Sequence, residues 1–373
     1  MNARVDSIAL VEGPARSAPA GLAGVVAAET VLSHVDGAGG RLIVRGVPIE
    51  ALAGGSSYEA AAALLLGGFA AVGDEAAVRA AIGRGRVEAH RRLIGRLDAT
   101  SPRDPVEAMR LLLAALGDSD PLAEPAALIG AVGVAAAMAI RAGQGLPAQR
   151  PDAALPHALD LQRLISGQMP EEAAARAFET YLVTVIDHGL NASTFTARVV
   201  ASTESGLVSS VVAALSALKG RLHGGAPGPV LDMLDAIGEA ERAEAWLEAR
   251  MDAGERIMGF GHRAYRVRDP RADVLRAAIG QLGEGEGRLA LARAVEEAAL
   301  AVLARRKAKR RLDVNVEFYT ALLLERLGIP REGFTAVFAA GRSAGWIAHA
   351  LEQQQTGTLI RPDARYVGPE PQL

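Results

Sequence analysis

Residues 255–271 read ERIMGFGHRAYRVRDPR, which places two glycines, one histidine and five arginines in a single short span. Gly259 and Gly261 allow the backbone to approach a bound group and to aim successive N–H groups at it. His262 adds a donor whose protonation changes near neutral pH. Arg263, Arg266, Arg268 and Arg271 carry planar forks that match carboxylates and phosphates. The stretch is therefore read as the binding loop for an anion that also bears a carbonyl group. Taken alone it is also compatible with a glycine-rich turn leading into an arginine-rich helix.

The G-F-G-H motif, followed by a basic segment and D-P-R, resembles the signature of the citrate synthase family. Further segments of the chain match the same family in order: DHGLNASTFTARVVAST at 187–203, LHGGA at 222–226, NVEFY at 315–319 and GRSAGWIAHALEQ at 341–353. LIRP and YVGP follow near the C-terminus, and VVAAETVLSHVDGAGGRLIVRGVPIEAL stands at 25–52. The resemblance thus covers nearly the whole chain. Gly259, Gly261 and Ala264 also satisfy the dinucleotide pattern G-x-G-x-x-A, but that pattern requires a preceding buried strand, and WLEARMDAGERIM is a charged helical stretch.

Composition points the same way. Half of the 373 residues are apolar and about 4% are aromatic, with alanine and leucine supplying most of the apolar content, so helices are favoured over sheets. The formal net charge is −3, which argues against a nucleic-acid binder. The absence of cysteine excludes disulfides, thiolate metal sites and cysteine catalysis. No HExxH or similar spacing occurs, so no metal is expected. The opening residues MNARVDSIALVEGPARS lack a continuous apolar run, and Pro125–Ile140 is interrupted by glycines and short of a membrane span, so a cytoplasmic protein without membrane association is expected.

Along the chain, Val25–Val47 is rich in β-formers around DGAGG and predicts a small hairpin. Ser56 with Glu59 reads as a capping box before a helix that stops at Gly67 and Gly68. Asp104, Pro105 and Glu107 open a second helix that ends toward Gly117. Pro170 opens another toward Ile186, and Leu207–Leu218 forms one more. Beyond LHGGA the texture changes to charged amphipathic stretches at 238–252, 269–282 and 288–306. The expected fold is all-α: a large helical domain from residues 1–222 and 325–373, a smaller helical domain at 223–324, and an active site between them. The resemblance implies the same layout.

The resemblance also implies an activity, the condensation of acetyl-CoA with oxaloacetate and water to citrate and CoA. On this implication His223 donates to the thioester oxygen, Glu317 is the base and His262 polarises the keto group. His188, Arg271, Arg342 and Arg361 hold the carboxylates, with Arg361 reaching in from the partner of a homodimer. Met258, Gly259, Phe260 and Gly261 line the CoA nucleotide, and Arg266 and Arg310 meet its phosphates; CoA is a cosubstrate, and no permanent cofactor is implied. His34, His90, His157 and His349 lack a glycine-rich or polar setting and read as surface or packing residues.

Three departures stand out. The family's usual base is the aspartate of PNVDFY, where this chain has VNVEFY; the usual H-A-D-H is Val185-Ile186-Asp187-His188; and LHGGANEAV is LHGGAPGPV. These features resemble the divergent bacterial branch labelled citrate synthase 2. They leave two alternatives open, a 2-methylcitrate synthase using propionyl-CoA and a catalytically weak paralogue that binds CoA or a dicarboxylate.

Overall fold

Alanine lets helix axes approach closely, and this chain exploits it: the computed structural model contains fifteen α-helices among its described residues and one three-stranded antiparallel sheet. The structure describes residues 20–22, 24–100, 104–220, 222–224, 227–262, 264–283, 286–306 and 312–369. The expected all-helical class with a small N-terminal hairpin is therefore what is found.

The sheet comprises β1 (Ser33–Asp36), β2 (Arg41–Val44) and β3 (Val47–Pro48), with Ser33 opposite Val44 and Asp36 opposite Arg41. Asp36 sets the turn by accepting from the Gly39 N–H at 2.8 Å and from the Arg41 guanidinium. The tip of the hairpin presses on the segment just after GFGH. A Cβ on Gly37 would lie 2.1 Å from the Ala264 carbonyl oxygen, and the Arg266 N–H donates to the Gly37 carbonyl at 2.7 Å.

The helices before this segment are α1 (Ile49–Gly55), α2 (Tyr58–Leu66), α3 (Glu75–Leu93), α4 (Pro105–Leu113), α5 (Pro125–Gly143), α6 (His157–Ser166), α7 (Glu172–Thr184), α8 (Ala192–Ala201) and α9 (Leu207–Leu218). Next come α10 (Pro227–Ile237), α11 (Ala243–Asp252), α12 (Pro270–Gly280), α13 (Glu286–Arg306) and α14 (Val316–Arg326), and finally α15 (Phe334–Thr356). Helices α10 to α14 pack largely on one another, while α12 also meets α1 and α7, and α14 meets α7.

Helix starts follow local chemistry. Asp104 caps α4 by accepting from Val106 and Glu107, with Pro105 in the first turn where its missing N–H costs nothing. That helix ends at Leu113, short of Gly117. The α2 cap is Ser57, one residue later than expected, and it accepts from the Ala60 N–H at 3.0 Å. Glu59 is not free to close a capping box, because it is fully buried and accepts the His157 N–H at 2.8 Å.

Helix α5 lies at the centre, against α3, α4, α6 and α15. It runs on to Gly143 and so reaches the length of a membrane span, longer than the sequence pattern indicated, but most of it is buried within the fold, as for a core helix. Its crossing with α3 is a backbone-to-backbone contact. A Cβ on Gly130 would lie 2.3 Å from the Ile82 carbonyl oxygen, and one on Gly85 2.2 Å from that of Ala127.

This crossing yields a direct test. Gly130→Ala must push α3 and α5 apart and should cost about 1–3 kcal/mol in urea unfolding. Gly54→Ala, on α1 with nothing within 4 Å of the added carbon, should be neutral or stabilise by up to about 1 kcal/mol. Equal effects would contradict the crossing.

Candidate active site

The GFGH loop is locked to the start of α14. Gly259 and Gly261 have φ of +82° and +79°, and a Cβ on Gly259 would sit 2.9 Å from the Phe318 ring, so both conformation and space require glycine. The Gly261 N–H donates to the Asp313 carbonyl at 2.7 Å, and the Asn315 N–H donates to that of Gly259 at 2.9 Å. The Asn315 side chain donates to the Gly261 carbonyl and accepts from the Glu317 N–H, so one residue fastens the loop and caps the helix.

This anchoring sets the tautomer of His262. Its Nδ1 accepts from the Ala264 and Tyr265 N–H groups at 3.0 and 3.2 Å, which places the ring proton on Nε2. Burial, reinforced by the Arg271 charge, lowers its pKa to about 4, so His262 is a neutral donor.

Asp269 performs several tasks beside it. Its carboxylate caps α12 through the Arg271 N–H and grips the Arg271 guanidinium in a bidentate pair at 3.0 and 2.8 Å. It also accepts from the Val316 N–H at the start of α14. Because Asp269 occupies Nε and one Nη2 hydrogen, the Nη1 side of the Arg271 fork is the side left for a ligand. Arg342, fully buried on α15, donates from Nε to the Val185 carbonyl and lies over the Phe338 ring. Burial pulls its pKa down to about 10, which leaves it charged at neutral pH.

His188 follows the end of α7, and its Nε2 meets the Tyr265 hydroxyl at 3.1 Å. Its ring stacks edge-on against His262 with centroids 5.4 Å apart. Burial, with Arg271, His262 and Arg342 nearby, keeps it neutral. Behind it Asp187 accepts from Ser33 of the hairpin and from His349. His349 in turn accepts at Nδ1 from Arg198, whose guanidinium is paired with Glu352. His349 is thus not a plain packing residue; it is the fully buried junction of a polar network. His157 is buried and His34 exposed.

His223 lies in the turn between α9 and α10, its Nε2 2.8 Å from the Ser193 hydroxyl and 3.3 Å from the Ser193 backbone N–H. That N–H, shared with Asn191 Oδ1, favours Nε2 as the acceptor and the proton on Nδ1, with the Ser193 hydroxyl then turning its proton from Asn191 to Nε2. The Ser193 hydroxyl is held by the Trp346 indole N–H and by Asn191, the cap of α8. Burial, with Arg342 nearby, lowers the His223 pKa to about 4.

Glu317, in the first turn of α14, is half-buried, and among the described residues no hydrogen bond reaches its carboxylate. Burial pushes its pKa up to about 7, with Arg271 and Arg342 opposing the rise and Asp269 adding to it. It therefore exchanges a proton near neutrality, as a general base must.

Most of the residues singled out in the sequence, His188, His223, His262, Arg271, Glu317 and Arg342, are linked in one region by these contacts and charge interactions. Arg266 is exposed beside the hairpin tip, and Arg361 lies exposed on the extended C-terminal segment, which is attached through the Ile360 N–H to Ser202. Phe260 packs edge-on against Phe318, and Met258 is partly buried. Arg310 lies outside the described residues. The sequence reading missed Asp269, Tyr265, Ser193 and Trp346. Only Asp269 carried a visible signal, an Asp-Pro pair that marks a helix start.

An all-helical fold that gathers neutral histidine donors, two guanidinium forks and a carboxylate of raised proton affinity defines a protein equipped for acid–base chemistry on an anionic carbonyl compound. Residues 21–363 match the family model described as "Citrate synthase, C-terminal domain". A citrate synthase of Haloferax volcanii is 38% identical over 93% of this chain and 95% of its own length. The crystal structure of citrate synthase from Pyrobaculum aerophilum superposes with a TM-score of 0.86 at 31% identity, covering 100% of this chain and 98% of that one. Citrate synthase from Thermoplasma acidophilum, in ternary complex with carboxymethyl coenzyme A and oxaloacetate, gives a TM-score of 0.84 at 26% identity, over 96% and 98% of the two chains. The chain belongs to the citrate synthase family.

The raised pKa of Glu317 has a sign in stability. A carboxyl group that binds its proton more tightly folded than unfolded contributes stability below its ordinary pKa of 4.5, and this is lost as pH rises through about 7. Glu317→Gln should therefore raise stability by about 1–3 kcal/mol at pH 8 and have little effect at pH 4, measured by urea unfolding. Destabilisation at pH 8 would contradict the burial of this charge.

Proposed function

We propose that this chain condenses acetyl-CoA with oxaloacetate and water, giving citrate and CoA, with the residues of the cluster in the following roles. The observation that carries the reading is the opposite tuning of the cluster: three neutral histidines beside one carboxylate poised near neutrality.

Glu317 takes a methyl proton of acetyl-CoA. The C–H electron pair moves into the carbon skeleton and the negative charge develops on the thioester oxygen, where the Nδ1–H of His223 meets it. A developing oxyanion is best stabilised by a donor already in place, since no reorganisation is then needed. The enolic carbon attacks the keto carbon of oxaloacetate, whose oxygen is polarised by the Nε2–H of His262. Hydrolysis of the resulting citryl thioester releases citrate and CoA. The free side of Arg271, together with Arg342 and His188, holds the two carboxylates of oxaloacetate, and bidentate forks fix their orientation as well as their charge.

Arg361 completes this site from the partner subunit of a homodimer, consistent with its exposed place on an extended C-terminal segment. The CoA nucleotide lies along the backbone of Met258, Gly259, Phe260 and Gly261, with Arg266 and Arg310 at its phosphates. In this reading residues 223–324 form the small domain that closes over the cleft and residues 1–222 with 325–373 form the large one. The protein works in the cytoplasm, in the tricarboxylic acid cycle.

Thiol release from acetyl-CoA should require oxaloacetate, and propionyl-CoA should be the poorer substrate by kcat/KM; a preference for propionyl-CoA would overturn the choice of substrate. The rate should fall about tenfold per pH unit below about pH 7 as Glu317 takes up its proton, with no inflection from the histidines until about pH 4. Glu317→Asp withdraws the carboxylate by one methylene and should lower kcat about tenfold or more, because about 1 Å of misplacement is costly in proton transfer. A faster Glu317→Asp enzyme would show that the site retains geometry suited to the shorter acid.

A further inference from the structure

Tyr181 lies in the last turn of α7 and is fully buried, yet its hydroxyl has no hydrogen-bond partner among the described residues. Phe178 stacks beside it at 6.4 Å, which accounts for the ring. The position is unusual for an orphaned hydroxyl: α7 packs against α12, α14 and α15, the three helices that carry Arg271, Glu317 and Arg342. The backbone here is also fixed to the site. The Val185 N–H donates to the Tyr181 carbonyl, and the Val185 carbonyl accepts from Arg342.

We propose that Tyr181 is a positioning residue for Glu317, and that its hydroxyl is the donor to which the Glu317 carboxylate turns when it is ionised. The chemistry of the neighbouring charged groups favours this pairing. A phenol O–H needs an acceptor, and the guanidinium groups of Arg271 and Arg342 have none to offer. Both oxygens of Asp269 are occupied, Oδ1 by the Arg271 N–H and Nε, Oδ2 by Arg271 Nη2 and the Val316 N–H. Glu317 is the carboxylate on the adjoining helix α14 that lacks such partners: no hydrogen bond reaches it among the described residues. The charge of Glu317, more than that of Arg342 or Arg271, acts on the phenol, and burial holds the phenol protonated, so it is available as a donor at every working pH. The hydrogen bond orients the longer glutamate side chain and favours its ionised form, and the second carboxylate oxygen stays free for the proton it takes.

The groups that set the proton affinity of Glu317 are then Asp269 and Arg271 from α12, Arg342 from α15 and Tyr181 from α7. This inference rests on Glu317 as the base, but it has a readout that needs no turnover. The carboxyl C=O infrared band that disappears in Glu317→Gln gives the protonation midpoint of Glu317 in the resting protein. In Tyr181→Phe that midpoint, and the acid limb of kcat/KM, should move up by about one pH unit, which is about a tenfold loss near pH 6 and almost none near pH 9. Unchanged infrared midpoints, or a loss by the same factor at all pH values, would overturn the proposal. Incorporating 3-fluorotyrosine at position 181 keeps the shape and strengthens the donor, so it serves should Tyr181→Phe not fold; its midpoint should move down, and an unmoved one overturns the proposal equally. If the wild-type protein releases no thiol, the proposed reaction fails while the infrared midpoints still decide the role of Tyr181.

Discussion

The grip of Asp269 on Arg271 holds the rest of the site in place. A buried carboxylate and guanidinium each lose several kcal/mol of hydration, and the pair survives because its geometry is bidentate and the remaining lone pairs are filled by two backbone N–H groups. Those two N–H groups belong to α12 and α14. One side chain thus orients the fork of Arg271, starts the helix behind it and sets the first turn of the helix that carries Glu317. Asn315 joins the same first turn to the GFGH loop, so the Arg271 fork, the His262 donor and the Glu317 carboxylate share one rigid frame.

Within that frame a single cause, burial, drives the titrations in opposite directions. It disfavours charge, so it lowers the histidines and raises Glu317. The Asp269–Arg271 pair cancels internally, and Arg342 remains as a cation without a bidentate carboxylate. A site so arranged attracts an anionic ligand and keeps its donors uncharged, so that they respond to negative charge as it forms. The hairpin contributes from outside: Ser33 reaches Asp187 beside His188, while Gly37 accepts from Arg266 beyond GFGH. One small sheet therefore touches segments on both sides of the site.

The all-helical class, the hairpin, the cap at Asp104 and the helix Leu207–Leu218 were legible in the sequence because they are written in local propensity and spacing. So were His188, His223, His262, Arg271, Glu317 and Arg342, which stand in recognisable motifs. The unpartnered hydroxyl of Tyr181 was not legible, because the residue sits in YLVTVI and reads as one more apolar position on a buried helix. His349 was misread for a related reason: on α15 it is surrounded by alanines, and its partners Arg198 and Asp187 come from distant parts of the chain. The capping box at Ser56 failed by one residue because Glu59 was claimed by the backbone of His157, a competition that no local pattern displays.

The central claim is that a filled dicarboxylate cradle and the Glu317 carboxylate act together on the methyl group of the acyl thioester. Hydrogen–deuterium exchange at the acetyl methyl of acetyl-CoA in D2O, with a dicarboxylate that lacks the keto group and so cannot condense, measures that step alone. The account predicts exchange in the wild-type protein only when the dicarboxylate is present, and none in Glu317→Gln. Exchange that persists in Glu317→Gln would place the base elsewhere and contradict it.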